Sequence, residues 1–439
     1  MSKYVTKKTP GNTEWFVHDR FGMFIHFGLY AMPARHEWIK SKERISEEKY
    51  DMYFKHFNPD MFNAKEWAKK AKEAGMKYAV LTTKHHEGFC MFDSKYTDYK
   101  ITNTEFGRDL VKEYVEAFRE EGLKVGFYYS LIDWHHPEFP LDCFHPRRYD
   151  ENAFELNQGR DIKIYAEYMR NQVTELLTNY GKIDVLWFDF SYSKNEQPRE
   201  WMKGKGKDDW EAEKLIELVR KLQPEIIIDN RTEIEQDIAT PEQYQPKEWP
   251  RDKVTGERLV WEACQTFSGS WGYYRDEMTW KSPQMLINML VNTVSRGGNL
   301  LMNVGPTSRG YFDYRAEEAL KVYGEWMKYN SRSIYGCTMA DEQFVEPNGC
   351  KFTQSDDGKR LYIHIFEYPF ANLEIHGLSG KIEYAQFLHD GSEVLFDEKT
   401  IESFSECKTE DETLVSFRIP IVKPNVIVPV IEIFLKDKE

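Results

Sequence analysis

The chain has 439 residues, 41% of them hydrophobic and 30% charged, with a formal net charge of −14 at pH 7. This length allows about three domains, and the hydrophobic content is too high for a disordered chain. An acidic chain without a clustered Lys/Arg face does not suit a nucleic-acid binder, and no window of about 18 apolar residues predicts a membrane span.

The N-terminal residues carry no apolar segment of the kind that signal peptides contain. A cytoplasmic location is therefore expected, with unconventional export left open. The six cysteines are widely spaced and form no C-x-x-C pair, so free thiols in a reducing compartment are the simplest expectation.

Short β-rich runs alternate with amphipathic helical stretches over roughly the first 330 residues. Strands are predicted at 21–28, 77–83, 124–130, 184–190, 225–229, 258–264 and 299–304, and helices at 63–75, 109–121, 162–180, 211–222 and 282–295. An eighth strand is possible near 277–280. Because strands alternate with helices and no G-x-G-x-x-G follows the first strand, we expect an α/β fold, a (β/α)₈ TIM-like barrel, rather than a dinucleotide-binding sheet.

The pattern changes after about Cys337, where helical periodicity disappears. Short strands separated by turn signals are predicted at 361–366, 381–388, 393–396, 414–419 and 426–435. The sequence therefore predicts a catalytic barrel over residues 1–340 and a C-terminal antiparallel β-sandwich over 341–439.

Polar residues cluster at the predicted carboxyl ends of the barrel strands, where the active sites of such barrels lie. They are His26, Lys84 to Glu87, Tyr128 to Ser130 with Asp133, Asp189, Asp229 to Arg231, and Glu262. Aromatic residues make up 15% of the chain, which favours flat-faced ligands such as sugars, although large aromatic cores would explain it equally well.

Glycoside hydrolysis is one reaction that such a set could perform, and it needs two carboxylates. Asp189 is the strongest candidate because it ends a strand beside a tryptophan; the alternative is a buried, salt-bridged aspartate. The residue types alone leave these contenders for the pair: Asp133, Asp189, Asp229, Glu37, Glu87, Glu242 and Glu262.

Three histidines, His26, His85 and His86, are predicted at the same end of the barrel. A metal site is one interpretation, but adjacent residues of an extended segment point to opposite sides, which disfavours chelation by both His85 and His86. Neutral imidazoles that hydrogen-bond sugar hydroxyls fit better. Inhibition by chelators would favour the alternative, a metal-dependent barrel hydrolase.

The sequence also resembles the α-L-fucosidases of glycoside hydrolase family 29 over nearly the whole barrel. The motifs that carry the resemblance occur in order: RFGMFIHFGLY at 20–30, EW at 37–38, KHHEGF at 84–89, YYS at 128–130 with DW at 133–134, LWFD at 186–189, NR at 230–231, TPE at 240–242, SWGY at 270–273 and GGNLLMNVGP at 297–306. One such motif would be weak evidence, whereas the ordered set on predicted strand ends is specific.

The resemblance implies a role for each matching position. Asp189 matches the nucleophile and Glu242 the acid/base. The positions that hold the fucose are matched by His26, Glu37, Trp38, His85, His86, Tyr129, Trp187, Arg231 and Trp271. The choice of Tyr129 over Tyr128 rests on spacing. Glu262 remains an alternative acid/base because it ends a predicted strand. No metal or cofactor is expected.

The expected activity is that of a retaining exo-α-L-fucosidase acting on a fucosylated oligosaccharide or glycoconjugate. Besides the metal-dependent hydrolase, a catalytically inactive fucose-binding protein is the alternative. The presence of both Asp189 and Glu242 disfavours inactivity.

Overall fold

The computed structural model describes residues 4–195, 197, 199–398 and 413–437. Seven strands form one parallel sheet: β1 (Phe21–Ile25), β2 (Tyr78–Lys84), β3 (Lys124–Ser130), β4 (Val185–Asp189), β5 (Ile227–Ile228), β6 (Glu262–Thr266) and β7 (Asn299–Val304). Each overlaps one of the seven strands predicted for the barrel.

Helices connect these strands and precede the first of them. They are α1 (Glu14–Asp19), α2 (Ile39–Lys42), α3 (Glu47–His56), α4 (Ala64–Glu73), α5 (Leu110–Glu120), α6 (Ala153–Asn157), α7 (Ile162–Asn179), α8 (Ala212–Leu222), α9 (Pro283–Val294) and α10 (Tyr314–Asn330). Asn63, Asp109 and Ser282 cap α4, α5 and α9, since each side chain accepts hydrogen bonds from the first turn. Within the described ranges, none of the helices combines the length and the apolar character that crossing a bilayer requires.

The sheet has the strand order β5-β4-β3-β2-β1-β7-β6. Its two outer strands, β5 and β6, are joined by the segment 238–242. The Ile238 amide donates to the Ile228 carbonyl on one side, and the Ala239 amide donates to the Val260 carbonyl on the other. Parallel bridges of this segment to Asp229, Trp261 and Cys264 complete the circle. The sheet is therefore closed into a TIM-like barrel.

The eighth position of the barrel is thus filled by residues 238–242, and the expectation of a strand near 277–280 was wrong. Residues 277–280 have no strand pairing and lead into α9. The segment 238–242 pairs with its neighbours only through isolated bridges and is not a regular strand. It contains Pro241, which has no amide hydrogen to donate to a ladder, so the sequence of this segment carries no strand signal.

Side chains alternate between the barrel interior and the surrounding helices along each strand. Phe24, Tyr128, Trp187, Cys264 and Leu301 belong to the cluster inside the barrel. Their apolar neighbours in the chain, such as Met23, Ile25, Tyr129 and Phe188, belong to the larger cluster between the strands and the helices. Both faces of the sheet are therefore buried, and the strands show no alternation of polar and apolar residues that would reveal which face is which.

Two antiparallel sheets follow the barrel. Their strands are β8 (Cys337–Met339), β9 (Cys350–Ser355), β10 (Arg360–Ile365), β11 (Asn372–Ile375), β12 (Ile382–Phe387), β13 (Phe396–Asp397), β14 (Val415–Arg418) and β15 (Val430–Leu435). A second apolar core joins Phe352 and Ile363 of the five-stranded sheet to Leu373 and Phe417 of the three-stranded one. This arrangement is the expected β-sandwich. Cys407 lies outside the described residues.

Candidate active site

A cavity of about 240 Å³ opens at the carboxyl ends of the barrel strands. Ten of the eleven residues expected at the site line it, Tyr129 being the exception. The full lining is Phe24, His26, Glu37, Trp38, His85, His86, Tyr128, Trp187, Asp189, Phe190, Ser191, Tyr192, Arg231, Glu242, Cys264 and Trp271.

Asp189, the last residue of β4, has both carboxylate oxygens held by hydrogen-bond donors. Arg231 Nη1 donates to Oδ1 at 3.0 Å, and the Tyr128 hydroxyl donates to Oδ2 at 2.8 Å. The side chain is 14% exposed. A carboxylate with two fixed donors at the wall of a cavity is oriented for attack on a bound ligand.

Glu242 lies beside Asp189 and is bound by the same nitrogen, since Arg231 Nη1 also donates to Glu242 Oε2 at 2.8 Å. The Glu242 side chain is 43% exposed, so it lies at the mouth of the cavity. Partial burial and the charge of Asp189 raise the pKa of Glu242 above its ordinary value, although Arg231 opposes this shift. Glu242 therefore holds a proton more readily than an ordinary glutamate does.

Arg231 is fixed by three further contacts. Its Nε donates to Thr240 Oγ1 at 2.9 Å, its Nη2 donates to the Thr240 carbonyl at 3.2 Å, and its guanidinium lies 4.6 Å from the Trp187 ring centroid. Burial alone would lower its pKa, but the carboxylates of Asp189 and Glu242 raise the pKa of Arg231 above its ordinary value. Arg231 therefore stays charged and sets the spacing of the two carboxylates.

Hydrogen bonds determine the tautomers of His26 and His86. Asn303 Nδ2 donates to the Trp271 carbonyl, so Asn303 Oδ1 faces His26 Nδ1 at 2.6 Å and accepts a hydrogen bond from the Nδ1–H of His26. Ser130 Oγ donates to the Ile132 carbonyl and so accepts from His86 Nδ1 at 2.7 Å. Each ring is left with an Nε2 that can accept a hydrogen bond.

Both rings remain neutral as well. Burial, and then the neighbouring His85, lowers the pKa of His26 to about 3 and the pKa of His86 well below its ordinary value. Within the described parts of the chain, no group of three or more His, Cys, Asp or Glu side chains is arranged to hold a metal ion. The two neutral rings are suited to accept hydrogen bonds from hydroxyl groups.

Glu37 adds a buried negative charge to the cavity. Its Oε2 accepts a hydrogen bond from the Gly272 amide at 2.9 Å, and its Oε1 lies 3.5 Å from His36 Nδ1. Burial would raise the pKa of Glu37, but His36 and the Gly272 amide outweigh it and lower this pKa to about 2. The ionised Glu37 can accept hydrogen bonds from two hydroxyls of a ligand.

The structure corrects the choice of Tyr129. Tyr128 shares the interior face with Trp187, with which it is paired in register across β3 and β4. Tyr129 points the opposite way, toward α7, where its hydroxyl donates to Gln172 Oε1 at 2.8 Å and its ring lies 4.5 Å from Lys84 Nζ. Tyr128 is therefore the tyrosine of the cavity.

Removing each tyrosine hydroxyl in turn should distinguish the tyrosine of the cavity from the one packed against α7. We expect Tyr128→Phe to lower kcat/KM by about ten- to a hundredfold, because Asp189 Oδ2 loses its donor, with little change in stability. We expect Tyr129→Phe to leave kcat/KM nearly unchanged and to lower the free energy of unfolding by about 1–3 kcal/mol, because the buried Gln172 oxygen loses its donor. Steady-state kinetics and urea denaturation of both variants measure these effects, and equal kinetic losses would contradict the assignment.

Glu262 does not reach the cavity, which corrects its place as an alternative acid/base. It begins β6 rather than ending a strand, so it lies toward the opposite end of the barrel. Its carboxylate is buried, accepting hydrogen bonds from the Tyr78 hydroxyl and, at 3.1 Å, from Trp187 Nε1. Burial raises the pKa of Glu262 to about 7. Its contact is with the rear edge of Trp187, whose ring lines the cavity.

The remaining carboxylate contenders have other partners. Asp133 pairs with Lys84 at 3.2 Å in the interior, and Asp229 accepts a hydrogen bond from the Phe188 amide at 3.3 Å. Glu87 lies behind His85, with its Oε2 3.4 Å from His85 Nδ1. None of these three lines the cavity.

Three further aromatic residues of the cavity were missed: Phe24 of β1, and Phe190 and Tyr192 after β4. Phe190 directly follows Asp189 and has a φ of 83°, a left-handed conformation that is costly for an aromatic residue. This conformation brings its ring to 4.9 Å from both Trp38 and His86. For Phe190 and Tyr192, the one indication in the sequence is that they follow Asp189, which ends a strand.

Comparison with known proteins agrees with this geometry. The α-L-fucosidase family model matches residues 3–332. The plasma α-L-fucosidase of Homo sapiens is 31% identical over 388 residues, which cover 81% of this chain and 76% of that protein. The family-model match extends over the barrel that forms the cavity.

Solved structures agree over the whole chain. α-L-Fucosidase isoenzyme 1 from Paenibacillus thiaminolyticus superposes with a TM-score of 0.88 at 44% identity, covering 97% of this chain and 99% of that one. A family 29 α-L-fucosidase from Bacteroides thetaiotaomicron, solved as a trapped covalent intermediate with 2-fluoro-fucosyl fluoride, has a TM-score of 0.81 at 27% identity and covers both chains fully. Given this fold, this cavity and these matches, the chain belongs to the α-L-fucosidase family, glycoside hydrolase family 29.

Proposed function

We propose that the protein is a retaining exo-α-L-fucosidase in which Asp189 is the nucleophile and Glu242 the acid/base. The observation that carries the proposal is the shared nitrogen of Arg231. Asp189 Oδ1 and Glu242 Oε2 lie 3.0 and 2.8 Å from it, so their separation cannot exceed the sum of these two lengths. The limit applies to these two oxygens, and it matches the close spacing of a retaining pair, about 5–5.5 Å, better than the about 6.5–9.5 Å of an inverting pair, which must admit a water between its carboxylates.

The reaction proceeds in two displacements. Asp189 attacks the anomeric carbon while Glu242 gives its proton to the departing glycosidic oxygen, and a β-fucosyl-enzyme forms. The aglycone then leaves past Glu242, the exposed member of the pair. Glu242, now ionised, takes a proton from water, which attacks the same carbon and releases α-L-fucose and free Asp189.

The shape of the cavity supports action on a terminal sugar. Its inner wall consists of the buried side chains of His26, Glu37, His85 and His86, whereas Glu242 lies at the open end. Neutral imidazoles and an ionised carboxylate accept hydrogen bonds from sugar hydroxyls. The rings of Phe24 and Trp187 provide an apolar wall for a sugar face and a methyl group.

Three relatives support the proposed activity. The Bacteroides thetaiotaomicron enzyme, trapped as a covalent intermediate, is consistent with a double displacement in a protein of this fold. The named activity of the plasma and bacterial relatives points to fucosylated oligosaccharides or glycoconjugates as substrates.

Proton NMR of the first turnovers tests the proposal. With an aryl α-L-fucoside as substrate, we expect α-L-fucose to appear first and the β anomer to form only by mutarotation. Early appearance of β-L-fucose would identify an inverting enzyme. Binding of L-fucose without any turnover would instead identify an inactive fucose-binding protein.

A further inference from the structure

An open groove lies beside the catalytic cavity. Its volume is about 580 Å³, and Ser191 and Tyr192 line both the groove and the cavity. Both residues belong to the loop that follows β4, just after Asp189. Because the two spaces share these lining residues, a sugar bound in the cavity can extend the next residue of its glycan into the groove.

Hydrogen bonds to Glu233 hold the walls of the groove together. Its Oε1 accepts from the Ser193 amide at 3.1 Å and from Ser193 Oγ at 2.7 Å, and its Oε2 accepts from the Lys207 amide at 3.2 Å. Ser193 and Lys207 lie in the loop after β4, whereas Glu233 lies after β5, two residues beyond Arg231. A Cβ at Gly206 would lie 2.5 Å from Ser193 Cβ, so the close approach here requires glycine. The shape of the groove is therefore fixed by contacts between the two loops.

Tyr192 gives the groove an aromatic wall. Its ring packs against Phe144 and Phe190, with centroid distances of 4.9 and 5.1 Å, and its hydroxyl donates a hydrogen bond to Asp142. An aromatic ring that is held in this way can pack against the apolar face of a sugar. The groove thus offers a surface for the sugar that follows the one in the cavity.

The groove also carries positive charge, although the whole chain has a net charge of −14. Lys194 and Lys207 line it and are exposed. Within the described residues, neither lysine side chain has an ion-pair or hydrogen-bond partner. Glu233 is the acidic residue of the lining, and the donors of Ser193 and the Lys207 amide already occupy its oxygens. Both ammonium groups are therefore free to bind an anionic group of a ligand.

We propose that the groove binds the aglycone and favours a glycan in which the sugar next to the fucose carries a carboxylate or a sulfate. Tyr192 contacts the ring of that sugar, and Lys194 and Lys207 donate charge-assisted hydrogen bonds to its anionic oxygens. A neutral sugar has no group that can form these bonds. This selectivity rests on the proposed function, because it requires the fucose in the cavity.

Matched disaccharides test the preference. In each set, α-L-fucose is linked to the same hydroxyl of D-glucose, of D-glucuronic acid or of D-glucose 6-sulfate. We expect kcat/KM to be about three- to tenfold higher for the two anionic members, the range that two exposed ion pairs provide. The excess should shrink in about 0.5 M NaCl, because salt screens exposed charges. An excess for one anionic member alone identifies the group as a carboxylate or as a sulfate.

The double variant Lys194→Gln/Lys207→Gln assigns the preference to the groove. We expect the ratio of kcat/KM for the anionic members to that for the neutral member to fall about three- to tenfold. Differences in leaving-group reactivity between the sugars cancel when this ratio is compared between proteins. Lys205→Gln is the control: this lysine belongs to the same loop but does not line the groove, so the wild-type ratio should be kept.

The same ratio in the wild-type protein and the double variant would overturn the proposal, even if both proteins hydrolyse every disaccharide. Circular dichroism checks the fold, and the two single variants replace the double variant if it does not fold. If the wild-type protein hydrolyses none of the disaccharides, the proposed function fails. Calorimetry with the same disaccharides then measures the groove itself, and equal Kd values for the anionic and neutral members would refute it.

Discussion

Replacing Asp189 by glycine should lower kcat about 10⁴-fold or more, equivalent to about 5 kcal/mol of activation free energy, while the fold is retained. The Asp189 carboxylate forms the covalent bond of the intermediate. Glu37 is the other described carboxylate on the inner wall of the cavity, but a hydrogen bond from the Gly272 amide holds it on a different loop, so it cannot replace Asp189. Rates with an activated aryl α-L-fucoside and circular dichroism of the variant measure both effects.

Azide should partly restore the activity of Asp189→Gly. A small anion can enter the space left by the carboxylate and attack once from that face, so the product should be β-L-fucosyl azide. Asp208→Gly, the same change at an exposed position, is the control and should retain full activity. If Asp189→Gly kept more than about a tenth of the wild-type kcat, the nucleophile would have to be another residue.

The second large effect is expected for Glu242→Ala, and its size should depend on the leaving group. A fucosylated oligosaccharide has a poor leaving group that needs the proton, so its kcat/KM should fall about 10³-fold or more, whereas an activated aryl fucoside should lose far less. Azide should rescue the aryl fucoside reaction and give α-L-fucosyl azide, because it intercepts the β-linked intermediate. Product anomers are distinguished by NMR.

Glu262→Ala is the matched comparison, since it removes the same side chain from the residue whose predicted place at a strand end made it the alternative acid/base. Glu262 contacts Trp187 Nε1 rather than the cavity, so its loss should disturb the position of the indole and affect both substrates alike. Azide should not help. A leaving-group dependence and azide rescue in Glu262→Ala, with neither in Glu242→Ala, would assign the acid/base role to Glu262.

The barrel and its catalytic end could be predicted because their signals are local. Alternating strand and helix patterns imply a parallel sheet, and helix caps such as Asn63 and Ser282 depend only on neighbouring residues. Asp189 was identifiable for the same reason, since it ends a strand and strand ends meet at the active face. The motif TPE at 240–242 indicated Glu242 through resemblance alone.

Two features depended on the register of the sheet, which is set by the pairing of segments that are distant in the sequence. In a sheet buried on both faces, Tyr128 and Tyr129 have equivalent surroundings in the sequence, and only the pairing of β3 with β4 decides which one faces Asp189. Glu262 begins β6 rather than ending it, a shift of a few residues that moves its carboxylate to the other end of the barrel.

The position of Glu242 also depends on segments that are distant in the sequence. Local periodicity and strand ends were enough to predict the residue types of the site, the barrel that carries them and the order of their motifs. The long-range fold, in contrast, places residues 238–242 in the eighth position of the barrel, so that Glu242 also lies at a strand-like end. Segment 238–242 is held there by hydrogen bonds to β5 and to the chain at Val260 and β6, and Arg231 then joins Glu242 to Asp189. These contacts link residues that are 10 to 42 positions apart, and no local pattern encodes the distance between two such carboxylates.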